Sequence, residues 1–263
     1  MGDINLYPRR VVIDGRQRIA SVGIYNKTAN EGDYEITISN MVMSPTGQIF
    51  AVDSLPAGVT AEGLQAADGM LRWSPRRVTL LGNEAQTVRI MARPPADLPP
   101  GEYRSHFSVV SIPRDVEGGF SIDEAVNGEE GSETGIGVLI RPRFGISIPV
   151  IVRIGETTLD VSLSKIAMFG TEQGPMIGVT IERSGTRSAY GDLVVTMPGQ
   201  SEPVAIARGI GVYPEVDSRP YVLALNPEFD PALLASGTRL KIEYLDDDVS
   251  PGSTLASQEF TVP

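Results

Sequence analysis

From residue 136 to residue 152 every even-numbered position carries an apolar side chain: Ile136, Val138, Ile140, Pro142, Phe144, Ile146, Ile148, Val150 and Val152. The odd positions between them are mixed, namely Gly137, Leu139, Arg141, Arg143, Gly145, Ser147, Pro149 and Ile151, and Arg153 follows. Alternation with period two marks a β-strand whose two faces meet different surroundings. This row outruns the roughly five or six residues of an ordinary strand. One small sandwich cannot cover so long an apolar row, so part of it is expected to stay exposed or to be completed by something else. Pro142 and Pro149 lack the amide hydrogen that a central strand needs, which points to an edge or end position.

Shorter runs of the same kind surround it. Arg10-Val11-Val12-Ile13 ends at Asp14-Gly15, a strong hairpin signal. The return run, residues 18–25, sets Ala20, Val22 and Ile24 on one face. Glu35-Ile36-Thr37-Ile38 alternates likewise, residues 78–81 and 87–90 flank Gly82-Asn83 as a second hairpin-like pair, and residues 107–112 stop at Pro113. Beyond the Gly155-Glu156 turn seven further runs follow, at 159–168, 176–181, 193–196, 204–207, 221–225, 240–244 and 259–262. No stretch sustains a 3.6-residue apolar period. With 28 Gly and 20 Pro as punctuation in 263 residues, the expected fold is all-β, built as two sandwiches of roughly a hundred residues or a little more each. The expected division is residues 1–153, whose long alternating strand covers 136–152, and residues 154–263. Residues 114–134 are rich in Gly, Asp and Glu. They are expected to form a long mobile loop, either a solvated linker or a loop that orders when a partner strand arrives.

Charge narrows the partners. The net charge of −11 argues against nucleic acid or an anionic membrane surface, both of which call for a basic face. The balance is uneven, with 15 Lys/Arg against 18 Asp/Glu in residues 1–153 and 7 against 15 in residues 154–263. The first part is therefore the less repulsive surface for an acidic partner. There is no cysteine, which excludes disulfides, thiolate metal sites and thiol catalysis. No apolar run approaches the 18 or so residues of a membrane span. The chain is read as a mature form from which an export signal has been removed.

Catalytic groups are scarce, and no enzyme activity, metal or cofactor is expected. The single histidine, His106, sits on a strand run without a nucleophile elbow nearby. A surface hydrolase would rest on that residue alone. Asp246-Asp247-Asp248 lacks the spaced oxygen ligands of a calcium loop, residues 131–137 lack the Lys-Ser/Thr of a phosphate loop, and Asn26-Lys27-Thr28 is a bare glycosylation sequon. Arg9 and Arg10 open the first strand run. A guanidinium in a cleft grips a carboxylate through two parallel hydrogen bonds; the alternative is an exposed strand arginine.

In order and spacing these segments resemble the PapD-like chaperones of the chaperone–usher pathway. The resemblance is carried by Leu6-Tyr7-Pro8-Arg9-Arg10-Val11-Val12-Ile13-Asp14-Gly15, by Tyr25-Asn26, by Val78-Thr79-Leu80 and by Gln86-Thr87-Val88-Arg89-Ile90. It continues through Leu98-Pro99, Gly101-Glu102-Tyr103-Arg104-Ser105-His106-Phe107, Ile112-Pro113 and the alternating strand ending at Arg153. It covers the first part well and the second more loosely, where Arg187-Ser188-Ala189-Tyr190-Gly191-Asp192 looks like the spore-coat-like, archaic branch.

The resemblance implies two immunoglobulin-like domains in a boomerang arrangement, a periplasmic location, and pilus or surface-fibre subunits as partners. A subunit lacking its final strand is completed by the chaperone's own strand and is released at an outer-membrane usher. The implied donor residues are Ile136, Val138, Ile140, Phe144 and Ile146. A family arginine that anchors the subunit's terminal carboxylate falls on Arg10. The lysine that accompanies it falls on Pro149, which cannot serve, leaving Arg10 alone or joined by Arg9 or Arg143. Arg153 takes the place of an interdomain arginine, with Glu102 and one of residues 246–248 as its partners. An exposed donor strand could also pair with its own copy as a self-capped homodimer. The competing expectation is a structural fibre subunit or adhesin built from the same sandwiches.

Overall fold

The computed structural model describes residues 4–15, 17–113, 143–172 and 174–263. Ile136, Val138, Ile140 and Pro142, and the acidic segment 114–134, lie outside the described residues. Eighteen strands are described. The first eleven are β1 (Ile4–Tyr7), β2 (Val11–Ile13), β3 (Ile19–Asn26), β4 (Gly32–Ser39), β5 (Met41–Met43), β6 (Ile49–Ala51), β7 (Leu71–Ser74), β8 (Arg77–Leu80), β9 (Ala85–Ala92), β10 (Gly101–Ile112) and β11 (Gly145–Ile154). The other seven are β12 (Asp160–Thr171), β13 (Gly174–Ser184), β14 (Ala189–Thr196), β15 (Ala205–Val212), β16 (Ser218–Ala224), β17 (Arg239–Asp246) and β18 (Thr254–Thr261). Each of the seven runs read in the second part of the sequence forms one of these.

Nine of the first eleven strands build one sandwich. One sheet has the order β1-β3-β9-β7 and the other β2-β11-β10-β4-β8, the strand arrangement of an immunoglobulin-like fold whose first strand is shared between layers. Leu6, Val22, Ile24, Leu71, Val88 and Ile90 face inward from the first sheet. Val11, Ile13, Tyr34, Ile36, Phe107, Val109, Ile148, Val150 and Val152 meet them from the second. Each such apolar side chain contributes roughly 1.5–3 kcal/mol when fully buried. The short β5–β6 pair stands apart from both sheets. The second sandwich packs β12-β13-β16 on β15-β14-β17-β18 around Ile177, Val179, Ile181, Leu193, Val195, Leu240, Ile242 and Tyr244.

Two expectations are corrected here. Asp14-Gly15 does turn the chain, closed by a single antiparallel bridge from Asp14 to Gln17 with Gln17 N donating to Asp14 O at 3.2 Å, but the pairing does not extend into β2 and β3. β2 pairs with β11 in one sheet and β3 with β1 and β9 in the other. Likewise β8 joins β4 whereas β9 joins β3 and β7, so Gly82-Asn83 is a crossing between layers. The turn chemistry is the same in both cases; the inward pair Val11 and Ile13 is buried only by crossing to the opposite sheet. The sequon asparagine is no surface acceptor either. Asn26 is fully buried, its Nδ2 donating to the carbonyls of Asn30 and Leu81 and its Oδ1 accepting from Thr28 N and Oγ1.

Candidate functional site: an open strand margin beside a charged joint

β11 is antiparallel to β10 throughout, from Gly101 opposite Ile154 to Val110 opposite Gly145. On its other flank β2 runs parallel and reaches only Val150, Ile151 and Val152. Among the described residues no strand covers that flank at residues 145–149. The hydrogen-bond phase of the strand is fixed at its start, where Phe144 O accepts from Ser111 N at 2.7 Å and Phe144 N donates to Ser111 Oγ at 3.0 Å. Even-numbered residues therefore turn their amides and carbonyls to β10, and Gly145, Ser147 and Pro149 turn theirs outward. Gly145 and Ser147 offer an N–H; Pro149 has none to offer, and it lies just before β2 takes over the flank. Proline thus sits at a margin, as its missing hydrogen requires.

The even-numbered side chains divide along the strand. Ile148, Val150 and Val152 belong to the sandwich's own core and Ile146 packs against it partly buried, whereas Phe144 is 39% exposed. The enclosed Ile148 narrows the uncovered row expected from alternation, because β10 and the opposite sheet already cover the inner face of β11 from that point. Ile151, pointing the other way, is fully buried in the core of the second sandwich. One strand thus serves both cores and, among the described residues, keeps a free margin at its start.

At the other end of β11 lies a cluster of charges between the sandwiches. Arg153 donates to Glu102 Oε2 at 3.0 Å and to Asp248 Oδ1 at 3.2 Å, with a further bond to Asp248 Oδ2. Arg10 reaches the same Asp248 at 2.9 Å, donates to Ser188 Oγ at 3.2 Å and lies over the Tyr190 ring at 4.6 Å. Arg187 adds a third guanidinium, 3.9 Å from Asp248. Burial pushes the Asp248 carboxyl up, but the hydrogen bonds and charges of Arg153 and Arg10 outweigh it and hold the group at about 2. Burial would likewise lower Arg153, and the bond to Asp248 with the charges of Glu102 and Asp248 raises it instead. Asp246 positions this loop: its carboxylate accepts from the backbone N–H groups of Asp248, Val249 and Ser250. Asp246 and Asp248 are thereby spent on backbone and arginines, and among the described residues no group of three or more acidic, histidine or cysteine ligands is gathered for a metal.

The residues singled out in the sequence fall into three groups. Arg10, Glu102 and Arg153 are brought together around Asp248. Phe144 and Ile146 lie at the start of β11, while Arg9 is exposed and Arg143 donates to Glu35 Oε2 at 3.3 Å on the surface. Ile136, Val138 and Ile140 fall outside the described residues. His106 is only 3% exposed, opposite Ser39 and Pro149 on its two neighbours. Burial, with the Arg104 charge, lowers it to about 3, so it presents no imidazole to a substrate.

A second buried pair escaped the sequence reading. Glu215, in the segment after β15, pairs with Arg104 of β10, 111 positions away, each side chain only 2% exposed. Arg104 also stacks on Tyr213 at 3.7 Å and donates to Met41 O at 2.9 Å. Nothing local marks either residue; only the alternation of β10, which puts Glu102, Arg104 and His106 on the outer face, hints that this face is covered.

No family model matches the chain, and no curated protein matches it. Solved structures do. The Pseudomonas aeruginosa CupB2 chaperone is 11% identical, with 98% of this chain and 100% of that one covered and a TM-score of 0.46. A chain of the CsuC–CsuE chaperone–tip subunit pre-assembly complex, from the archaic chaperone–usher Csu pili of Acinetobacter baumannii, is 11% identical over 98% and 97%, with a TM-score of 0.46. A chain of the Salmonella enterica SafA pilin–SafB chaperone complex is 12% identical over 99% and 97%, with a TM-score of 0.43. Over nearly its whole length, then, the chain is similar to solved structures of fimbrial and chaperone–usher chaperones.

Proposed function

We propose that this chain is a periplasmic, non-enzymatic chaperone that holds unfinished pilus or surface-fibre subunits by adding the start of β11 to their open sheet, and hands them to an outer-membrane usher. The observation that carries this reading is the margin at residues 145–149, which has outward amides and carbonyls and no strand beside it among the described residues. An incoming strand there occupies the same lane as β2 and ends where β2 begins. Since β2 is parallel to β11, the residues just before it, Arg9 and Arg10, stand at the end of that lane. If the incoming strand is the last of its chain, a course parallel to β11 would bring that chain's terminal carboxylate to these arginines. Arg9 is exposed, and Arg10, held by Asp248 and Ser188, adds positive charge behind it; together they would form the carboxylate anchor that Pro149 cannot share. Phe144, and by the alternation of the sequence Ile136, Val138 and Ile140, would fill the subunit's groove, with Ile146 at the border between the two cores.

The test uses two substitutions that spare the chaperone's own core. Ser147→Pro removes an outward N–H, and Phe144→Asp places a charge on an exposed donor side chain. Both should keep the native circular dichroism and lose the fibre subunits that co-purify with the wild-type chain from a periplasmic extract. Undiminished co-purification by both variants would overturn the proposal.

A further inference from the structure

Three segments of the first sandwich converge on Glu215 of the second. Met43 N in β5 donates to Glu215 Oε1 at 2.8 Å, and Arg104 in β10 donates to Glu215 Oε2 at 3.0 Å with a second bond to Oε1. At Gly63, with φ +83, the chain passes so close that a Cβ would meet Glu215 Cα at 3.3 Å. Both carboxylate oxygens are thereby used, and both partners are shielded from water. An ion pair so deeply buried is costly to break, because the partner left behind stays desolvated. The same β5 reaches the open margin: Met41 O accepts from Arg104, and Met41 Sδ lies 3.7 Å from Ser147 Oγ on β11.

We infer that Glu215 is a positioning residue that locks the second sandwich onto the first at a fixed orientation and, through β5, holds Met41 beside the strand margin. The lock is separate from the Asp248 cluster, sharing none of its residues. Its consequence for partner capture rests on the proposed function; the lock itself does not.

The absence of cysteine makes paired spin labels straightforward. Labels at Arg77→Cys and Gln258→Cys, both exposed and on different sandwiches, should give one narrow distance distribution in the otherwise native chain. Glu215→Ala should broaden that distribution and speed exchange of the Met43 amide about tenfold. Glu215→Gln keeps an acceptor for Met43 but loses the charge, so the distribution should stay broad and amide protection should recover only in part, since the Met43 bond itself spans the two sandwiches. A distribution that stays narrow in either folded variant overturns the lock, and the Gln variant decides the matter if the Ala variant does not fold. Subunit co-purification in the same variants reads the second half. Broad distances with undiminished capture would overturn the link to the margin. A wild-type chain that captures nothing would count against the proposed function and leave the lock standing.

Discussion

Arg153 and Asp248, 95 positions apart, are joined by two hydrogen bonds, so the strand that carries the open margin ends in the grip of the second sandwich's last loop. Asp248 is shared with Arg10, which precedes β2, and Arg153 is shared with Glu102 on β10. The joint therefore ties together the strands on both sides of β11. The margin at residues 145–149 is thus held from the far end of its own strand.

Removing the shared acid should be costly. Asp248→Ala leaves Arg10 and Arg153, each about nine-tenths buried, facing each other without their acid, and should lose about 3 kcal/mol in urea unfolding. An unchanged midpoint would show that the cluster adds nothing to stability.

The same residue predicts an acid limb. Its folded value of about 2 lies below its ordinary 3.8, so the unfolded chain takes up the proton first as pH falls. Its stabilisation is complete above about pH 4 and is lost as pH falls through about 2, on the order of 2 kcal/mol in all. Asp248→Ala should flatten the stability curve across that window.

His106 adds a larger dependence that sets in at higher pH. It stays neutral in the fold, its value lowered from 6.5 to about 3, whereas the unfolded chain protonates below about 6.5. Stability should be full above that pH and fall by roughly 4 kcal/mol on the way down to about 3. His106→Gln should remove this slope; a slope that persists would assign it to other groups.

The two neighbouring arginines should separate in their effects. Arg10→Ala strips Asp248 of one partner and exposes Tyr190, so it should lower the unfolding midpoint and weaken subunit capture together. Arg9→Ala should leave the midpoint unchanged and reduce the yield of co-purified subunit. Equal yields for Arg9→Ala and wild type would remove Arg9 from the anchor.

Backbone contact in the second sandwich gives a test of the fold itself. A Cβ on Gly191 would stand 1.9 Å from Leu245 O on the paired strand β17. Gly191→Ala should push β14 and β17 apart at a cost of about 1–3 kcal/mol, measurable in the thermal midpoint. An unaffected midpoint would mean that the two strands separate freely there.

The sequence by itself determined the strands and their inward faces, because burial on one side of a sheet writes a period of two directly into the residue order. Ala20, Val22 and Ile24 could be set on one face without any partner being known, whereas the enclosure of Ile148 could not. Pro149 likewise announced a margin, since a missing amide hydrogen is a property of the residue alone. Tertiary structure alone decided which strand lies beside which. Asp14-Gly15 and Gly82-Asn83 bend the chain equally well whether the next strand pairs or crosses to the other layer. It alone gathered Arg10, Glu102, Arg153 and Asp248, and set Glu215 against Arg104. Charges meet through space, and a separation of 111 positions leaves no periodic trace in the order of residues.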